Sequence, residues 1–271
     1  MIHISNYLNN QIEIYNTYRK PIGIEFLIQK IETKHKKHNN INLLDCGCGS
    51  GNYTKHLAKY GYSITSIDNN NNMLDSLNNW IKNNNIGNVS TKKINLMESI
   101  DLPHSTFDVV IINQVVHHFN DSNEDFKYLS NLFNHLHKIL KSDGILILNT
   151  SNYEQHRFGM WWGYLIEAQL KEYCKRYCSY DKLITIANNN NFKLIEQQKC
   201  VEPFIGDSYY NPNFIFDANI RKTDTLWDYV TDKEYEEVLN VLKDKDLKNI
   251  FQKNNLLNQF GQSSFFVWQL E

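Results

Sequence analysis

A chain of 271 residues is long enough for one α/β domain with additions and can bury roughly three quarters of its unfolded surface. A formal net charge of −2 and a pI of about 6.6, with Lys and Arg scattered among acids, argue against a nucleic-acid partner held mainly through phosphates. No 18-residue apolar window or basic-then-apolar start occurs, so no membrane partner is expected, and five irregularly spaced cysteines indicate a reduced, cytoplasmic setting.

Residues 1–40 predict two helices. The second has apolar residues at helical spacing and should pack on the sheet ahead of the first strand: Ile24, Leu27, Ile28 and Ile31. The stretch before it is polar and aromatic, and its notable side chains are Tyr7, Tyr15, Tyr18 and Arg19.

A glycine-rich turn follows the first predicted strand. The apolar run 41–44 ends at Asp45 and opens into glycines at positions 47, 49 and 51, after which an amphipathic run begins. Glycine permits a positive φ or the close approach of a ligand. The spacing G-x-G-x-G departs from the dinucleotide fingerprint G-x-G-x-x-G, because position 52 is Asn. A turn without any ligand is the alternative for this motif alone.

A second β-rich run, residues 63–67, ends at Asp68, which lies 17 residues beyond Gly51. Ligands of open α/β sheets bind at the carboxyl ends of the strands, where a carboxylate can accept both hydrogen bonds of a vicinal diol. The alternative is a surface Asp that caps the next helix. That helix has an apolar face made of Met73, Leu74, Leu77, Trp80 and Ile81.

Three more strands and two helices are predicted up to residue 150. Residues 89–96 have the character of a third strand. The phrase Leu102-Pro103-x3-Phe107-Asp108 leads into an apolar run that ends at Asn113, as expected of a central strand covered on both faces. Residues 115–119 should open a helix. A helical stripe over 129–140 then stops at 141–144, before a fifth strand at 145–148.

Three sequence motifs resemble those of a known family: Asp45 followed by x-G-x-G-x-G, the motif that begins at Leu102-Pro103, and L-K-x-x-G-I-L-I-L at residues 140–148. They resemble the class I S-adenosylmethionine-dependent methyltransferases over roughly residues 20–150. The resemblance implies a doubly wound, seven-stranded, mostly parallel sheet with an antiparallel last strand and helices on both faces. It also implies S-adenosylmethionine as cofactor, whereas it says far less about the acceptor.

The resemblance implies that the glycine loop holds the amino-acid end of the cofactor, Asp68 the ribose, and residues 95–97 the adenine. Glu98 competes with Asn95 for the adenine contact. The predicted cofactor-binding residues are Asp45, Gly47, Cys48, Gly49, Asp68, Asn69, Met73, Asn95, Leu96, Met97 and Asn113.

A base for the acceptor is sought among histidines, because imidazole has a suitable ordinary pKa. His117 is the first choice, since it follows Asn113 by four residues; the alternative is a structural histidine in a first helical turn. The predicted acceptor contacts are Tyr18, His118, Tyr153 and Trp161. No metal site is predicted, since Cys174 and Cys178 lack evident further ligands.

The C-terminal half predicts a helix over 183–187 and strands at 192–200 and 263–270. The insertion 203–261 lies between these strands, and we expect it to form a lid with a charged helix over about 232–254. Its aromatic residues should line the acceptor pocket: Tyr209, Tyr210, Phe214, Phe216 and Trp227. A decoration packed away from the site is the alternative.

The sequence thus predicts a single domain over 1–271, with an N-terminal cover (1–40), a cofactor-binding core (41–150) and a C-terminal half (151–271). The predicted function is methyl transfer to an oxygen, nitrogen or carbon atom of a small molecule. No N-P-P-Y or D-P-P-Y motif follows the fourth strand, which disfavours methylation of nucleobase amino groups. The alternatives are a non-catalytic cofactor- or partner-binding protein, a protein or RNA methyltransferase, and an NAD-dependent oxidoreductase. Monomer and homodimer both stay open.

Overall fold

The computed structural model describes residues 9–34, 40–119, 126–221 and 223–271. Within them the strands β1 to β7 are Asn42–Cys46, Ser63–Asp68, Val89–Lys93, Phe107–Asn113, Leu140–Thr150, Phe192–Cys200 and Ser263–Leu270. They form one sheet in the order β3-β2-β1-β4-β5-β7-β6. Neighbours are parallel except where β7 pairs antiparallel with β5 and β6, so the predicted doubly wound, seven-stranded sheet is confirmed.

The helices α1 to α12 are Asn9–Tyr18, Ile24–Lys34, Asn52–Leu57, Asn71–Asn83, Lys127–Ile139, Tyr153–Gly159, Glu167–Cys174, Tyr180–Asn188, Ala218–Arg221, Asp232–Leu242, Leu247–Asn254 and Leu257–Phe260. The apolar faces of α5 and α8 pack on one side of the sheet and those of α2 and α3 on the other. Strand β4 is buried from Phe107 to Ile112, as an apolar run sandwiched between two helical layers should be.

Two predicted boundaries between residues 89 and 119 are corrected. Strand β3 ends at Lys93 rather than at residue 96, because the Asn95 side chain accepts a hydrogen bond from the Met97 amide (3.1 Å) and turns the chain. Residues 116–118 form a single 3₁₀ turn instead of opening a long helix. Gln114 has a positive φ of 55° just before that turn and leads the chain away from the strand direction.

Two further corrections concern the fifth strand and the insertion. Strand β5 already begins at Leu140, which pairs with Phe107, so the predicted stop at 141–144 lies inside the strand. The predicted helix over 232–254 is two helices, α10 and α11. The second starts at its own cap, where the Asp246 carboxylate accepts from the Asn249 amide at 3.1 Å.

Candidate active site

One cavity of about 240 Å³ opens where β1, β2 and β4 end side by side. Parallel pairing aligns these ends, because Cys46 lies beside both Ile67 and Ile112. All the residues predicted to bind the cofactor line this cavity: Asp45, Gly47, Cys48, Gly49, Asp68, Asn69, Met73, Asn95, Leu96, Met97 and Asn113. The sequence therefore identified residues that the fold brings together, while their individual roles stay predictions.

The glycine loop is built to leave one position open. Gly47, Gly49 and Gly51 all have a positive φ, from 54° to 84°. A Cβ on Gly47 would lie 2.5 Å from Val115, and one on Gly51 would lie 2.4 Å from Leu77. A Cβ on Gly49 would meet nothing within 4 Å. The outer two glycines thus allow close packing, and the middle one leaves space at the cavity.

Asp68 ties the end of β2 to the glycine loop. Its Oδ2 accepts from the Gly49 amide at 2.8 Å, and its Oδ1 accepts from the Asn70 amide at 2.9 Å. Burial raises the pKa of this carboxyl, and the backbone donors oppose that effect. Because each carboxylate oxygen can accept more than one hydrogen bond, both oxygens can still take a ligand hydroxyl.

Asp45 lies beneath the loop and is almost fully buried. It accepts a hydrogen bond from the Thr54 hydroxyl at 2.7 Å, and that hydroxyl also lies 2.7 Å from Ser66 Oγ. Burial raises the pKa of Asp45 to about 7, with a smaller contribution from the charge of Asp68. A ligand cation at the loop would favour the ionised form of this carboxyl.

At the end of the cavity next to β2 and β3, Asn95 lines the cavity and Glu98 does not. The Asn95 amide donates to the exposed Glu98 carboxylate at 2.8 Å, so Glu98 supports it from outside. Leu96 is buried and Met97 half-buried, and both line the cavity. This end can therefore offer an apolar surface together with an amide.

Three histidines line the opposite end, and we call His117, His118 and His156 the histidine wall. The rings of His117 and His118 lie 4.2 Å apart, while Tyr177 packs at 4.9 Å from His117 and 5.0 Å from His156. Burial is the main cause that lowers the pKa of His118 and of His156 to about 4 and that of His117 well below its ordinary value. The histidine wall is therefore neutral at physiological pH.

Three side chains at this end have buried polar atoms without a hydrogen-bond partner among the described residues: the Asn113 amide, Nδ1 of His117 and Nε2 of His156. A buried polar atom left unpaired costs about 1–3 kcal/mol, so native proteins retain few of them. Because these residues line the cavity, they are positions where a ligand can complete the hydrogen bonding.

Helix α1 and the insertion both contribute residues to the lining of the cavity. Tyr18 donates to Asp217 at 2.8 Å, and Arg19 pairs with Asp224 at 3.3 Å. Arg19, Asp224 and Phe204 all line the cavity. The predicted N-terminal tyrosine Tyr7 lies outside the described residues. The N-terminal segment and the insertion thus meet above the strand ends.

Three predicted acceptor contacts do not line the cavity. Tyr18 uses its hydroxyl on Asp217 (2.8 Å), and Tyr153 points its hydroxyl at Glu167 (3.4 Å). Trp161 is fully buried in a separate hydrophobic cluster. The sequence could not separate an aromatic residue that forms a core from one that forms a pocket, and only His118 of this set reaches the cavity.

The predicted aromatic wall of the insertion is also wrong, because none of its five members lines the cavity. Tyr209, Phe214 and Trp227 are buried in the same cluster as Trp161, whereas Tyr210 and Phe216 are exposed. An insertion of this length must bury apolar surface of its own, and its aromatic residues do so. The insertion borders the cavity instead through Phe204, Thr223, Asp224 and Thr225.

Sequence reasoning missed several lining residues of the C-terminal half: His156, Tyr173, Tyr177 and Asp224. His156 lies on a helix that begins with a capping box at Asn152, and nothing about it in the sequence distinguishes it from a surface histidine. Tyr173 and Tyr177 are spaced by four residues, and their hydroxyls lie 3.1 Å apart. That spacing was the signal available, but it equally suits a buried helix face.

Two absences hold for the part of the chain that the structure describes. It contains no group of three or more His, Cys, Asp or Glu residues that could hold a metal ion. It also contains no helix long and apolar enough to cross a membrane. Cys174 and Cys178 are buried free thiols.

A family model described as a methyltransferase domain matches residues 17–197. Among curated proteins, the ubiquinone biosynthesis O-methyltransferase of Rickettsia akari (strain Hartford) is 31% identical over 136 residues, which is 49% of each chain. That of Pelagibacter ubique (strain HTCC1062) is 28% identical over 143 residues, 49% of this chain and 53% of the relative. The chain therefore spans about half the length of the curated relatives it matches.

Two solved structures share the fold at low identity. A putative methyltransferase from an antibiotic biosynthesis pathway of Anabaena variabilis ATCC 29413 has a TM-score of 0.64 at 15% identity, covering 94% of this chain and 100% of that one. Phosphoethanolamine N-methyltransferase 2 of Haemonchus contortus, solved in complex with S-adenosyl-L-methionine, has a TM-score of 0.60 at 14% identity. It covers 100% of this chain and 59% of that one.

Proposed function

Because the chain belongs to the methyltransferase-domain family, whose model matches residues 17–197, we propose that it transfers a methyl group from S-adenosylmethionine to a small-molecule acceptor. One observation carries the proposal. The eleven residues predicted for the cofactor share a single cavity with the histidine wall, so that a donor site and a proton-accepting group face the same space.

The residues at the strand ends suit this cofactor. The open position at Gly49 leaves room for its amino-acid end, and the Asp68 carboxylate offers two acceptors for the ribose hydroxyls. The Asn113 amide has no hydrogen-bond partner among the described residues and can bind a polar group of the cofactor. When bound, S-adenosylmethionine supplies an electrophilic methyl group on a sulfonium. The chain then has to orient the acceptor and exclude water around it.

His117 is our proposed proton acceptor. Its lowered pKa keeps the imidazole neutral at physiological pH, and its buried Nδ1 has no partner among the described residues. In the proposed step Nδ1 takes the proton of an acceptor hydroxyl while the oxygen bonds to the methyl carbon. The C–S bond breaks in the same step and its electron pair stays on sulfur. The O-methyltransferase names of the curated relatives support an oxygen nucleophile.

A small acceptor suits the covered geometry better than a protein or an RNA. Arg19 and Asp224, both largely buried, pair across the top of the cavity, and Phe204 and Thr223 close its side. We therefore retain the proposal of one domain over 1–271 with a lid at 203–261, formed at the cavity by residues 204 and 223–225. A cytoplasmic location and the oligomeric state stay predictions.

Calorimetry tests the cofactor, and a screen tests the turnover. We expect S-adenosylmethionine and S-adenosylhomocysteine to bind with micromolar-range affinity and NAD not to bind. NAD binding without S-adenosylmethionine binding contradicts the proposal. Incubation with metabolite extracts should then give a product heavier by one methylene, whereas cofactor binding without any such product supports a non-catalytic cofactor-binding protein.

A further inference from the structure

Arg176, which follows α7, joins three elements at the edge of the histidine wall. Its Nη2 lies 2.9 Å from Nδ1 of His118, and its Nε donates to the His117 carbonyl oxygen at 3.3 Å. Its Nη1 donates to the Thr225 hydroxyl of the insertion at 3.5 Å. No carboxylate of the described residues lies within ion-pair distance of this half-buried guanidinium. The Arg176 guanidinium therefore makes its polar contacts with the histidine wall and with Thr225.

The contact with His118 determines a tautomer. A guanidinium has donors only and does not lose its proton in proteins, so Nδ1 of His118 must be the acceptor of this hydrogen bond. The proton of the neutral ring then lies on Nε2. Protonating Nδ1 would place a second positive charge against Arg176, and burial with this charge lowers the pKa of His118 to about 4. Because Arg176 occupies Nδ1 and Nε2 carries the proton, His118 is a donor and has no free nitrogen with which to act as a base.

We propose that Arg176 is a positioning residue that fixes His118 as an Nε2–H donor at the acceptor end of the cavity, where this donor binds the acceptor oxygen as His117 removes its proton. This inference rests on the proposed methyl transfer and deepens it. The two adjacent rings then have opposite roles, since His117 carries an open acceptor nitrogen and His118 carries a fixed donor.

The arrangement selects a class of acceptor. Burial is the main cause that lowers the pKa of His117, and the neighbouring His118 and His156 rings and the charges of Arg176 and Arg19 lower it further. Arg19 is compensated by Asp224, whereas Arg176 is not compensated by a carboxylate among the described residues. A donor backed by this charge stabilises an ionising oxygen and repels an ammonium group. The acceptor is therefore a compound with an acidic hydroxyl, such as a phenol, rather than an amine.

Nitrogen-15 NMR of the histidine rings tests the positioning role without any acceptor. In the wild-type protein we expect the Nε2–H tautomer of His118 and a pKa near 4. In Arg176→Met both tautomers should appear, and the pKa should rise, while burial, the larger cause, still keeps it below its ordinary value of about 6.5. Arg176→Lys retains the charge and should keep the lowered pKa in part. Lys171→Met removes an exposed charge that pairs with Glu167 and should change neither property.

A wild-type Nδ1–H tautomer, or an unchanged His118 in Arg176→Met, overturns the assignment. Calorimetry with S-adenosylhomocysteine on the same samples reports whether the protein is folded and whether its cofactor site is intact. A wild-type protein that does not bind S-adenosylhomocysteine would instead count against the proposed function.

The acceptor class is tested with 4-nitrophenol, whose ionisation is visible by absorbance, on protein saturated with S-adenosylhomocysteine. We expect the bound phenol to ionise about one pH unit below the free compound, as a nearby positive charge and a donor require. The shift should be lost in Arg176→Met and in His118→Phe, and kept in Lys171→Met. Absence of binding, or a bound phenol that ionises like the free one in the wild type, overturns the assignment.

Discussion

Replacement of Asp68 by Asn should weaken both cofactor binding and the fold. The carboxylate lines the cavity and already accepts from the Gly49 and Asn70 amides at 2.8 and 2.9 Å. The amide retains one acceptor oxygen and replaces the other with a donor. Loss of one charge-assisted hydrogen bond to the ribose costs about 1.5–3 kcal/mol, which is roughly 10- to 150-fold in dissociation constant.

The same replacement also disturbs the glycine loop, a consequence that the position of Asp68 at a strand end does not reveal. An amide NH₂ must face one of the two backbone donors, so one donor loses its partner at a cost of about 1–3 kcal/mol in unfolding free energy. Asp68→Ala leaves both donors unpaired and should destabilise the fold further. Asp75→Asn, at an exposed position on α4, is the matched control and should change neither stability nor affinity.

The assay is calorimetric titration with S-adenosylhomocysteine, together with thermal unfolding of each variant. Affinity is compared only well below the unfolding temperature, so that a loss of affinity is not a loss of folded protein. An Asp68→Asn protein that stays folded and binds S-adenosylhomocysteine as tightly as the wild type would refute the ribose contact.

The remaining predictions concern the loop, the histidine wall and the cover. Gly47→Ala should cost about 2–3 kcal/mol in urea unfolding, because its Cβ has no room, whereas Gly49→Ala should cost about 1 kcal/mol and instead weaken cofactor binding; equal destabilisation would contradict this. The folded-state pKa values of the histidine wall lie below the unfolded value, so its stabilisation is lost as pH falls from about 6.5 to about 4. Asp45 and Asp68, whose pKa values are raised, act oppositely but are two groups against three. The unfolding free energy should therefore fall from about pH 7 to about pH 5, and a constant value would count against the assignment. Hydrogen exchange should slow in residues 9–19 and 203–230 on addition of S-adenosylhomocysteine and 4-nitrophenol. Identical exchange with and without these compounds would contradict the proposed lid.

The sequence predicted the sheet and the cofactor end of the cavity because their signals are local. An apolar run that ends at Asp68 is visible without tertiary structure, and so is the glycine turn that follows Asp45. Parallel pairing then brings strand ends together by rule, since all of them lie at one edge of the sheet. The same rule places Asn113 beside the turn.

The acceptor end could not be predicted in this way, because it is assembled from distant segments. Arg176 reaches His118 across 58 positions, and Arg19 reaches Asp224 across 205. No periodicity encodes such contacts. Trp161 does not line the cavity for a related reason. An apolar side chain predicts that a residue is buried, but not whether it is buried in a core or in the wall of a pocket.

A crystal structure with S-adenosylhomocysteine tests the central claim most directly. We predict that the ligand lies in the described cavity, with both ribose hydroxyls within hydrogen-bond distance of Asp68, the adenine against residues 95–97 and the sulfur on the side of His117. Electron density for the ligand outside this cavity, or inside it with the ribose turned away from Asp68, would contradict the account.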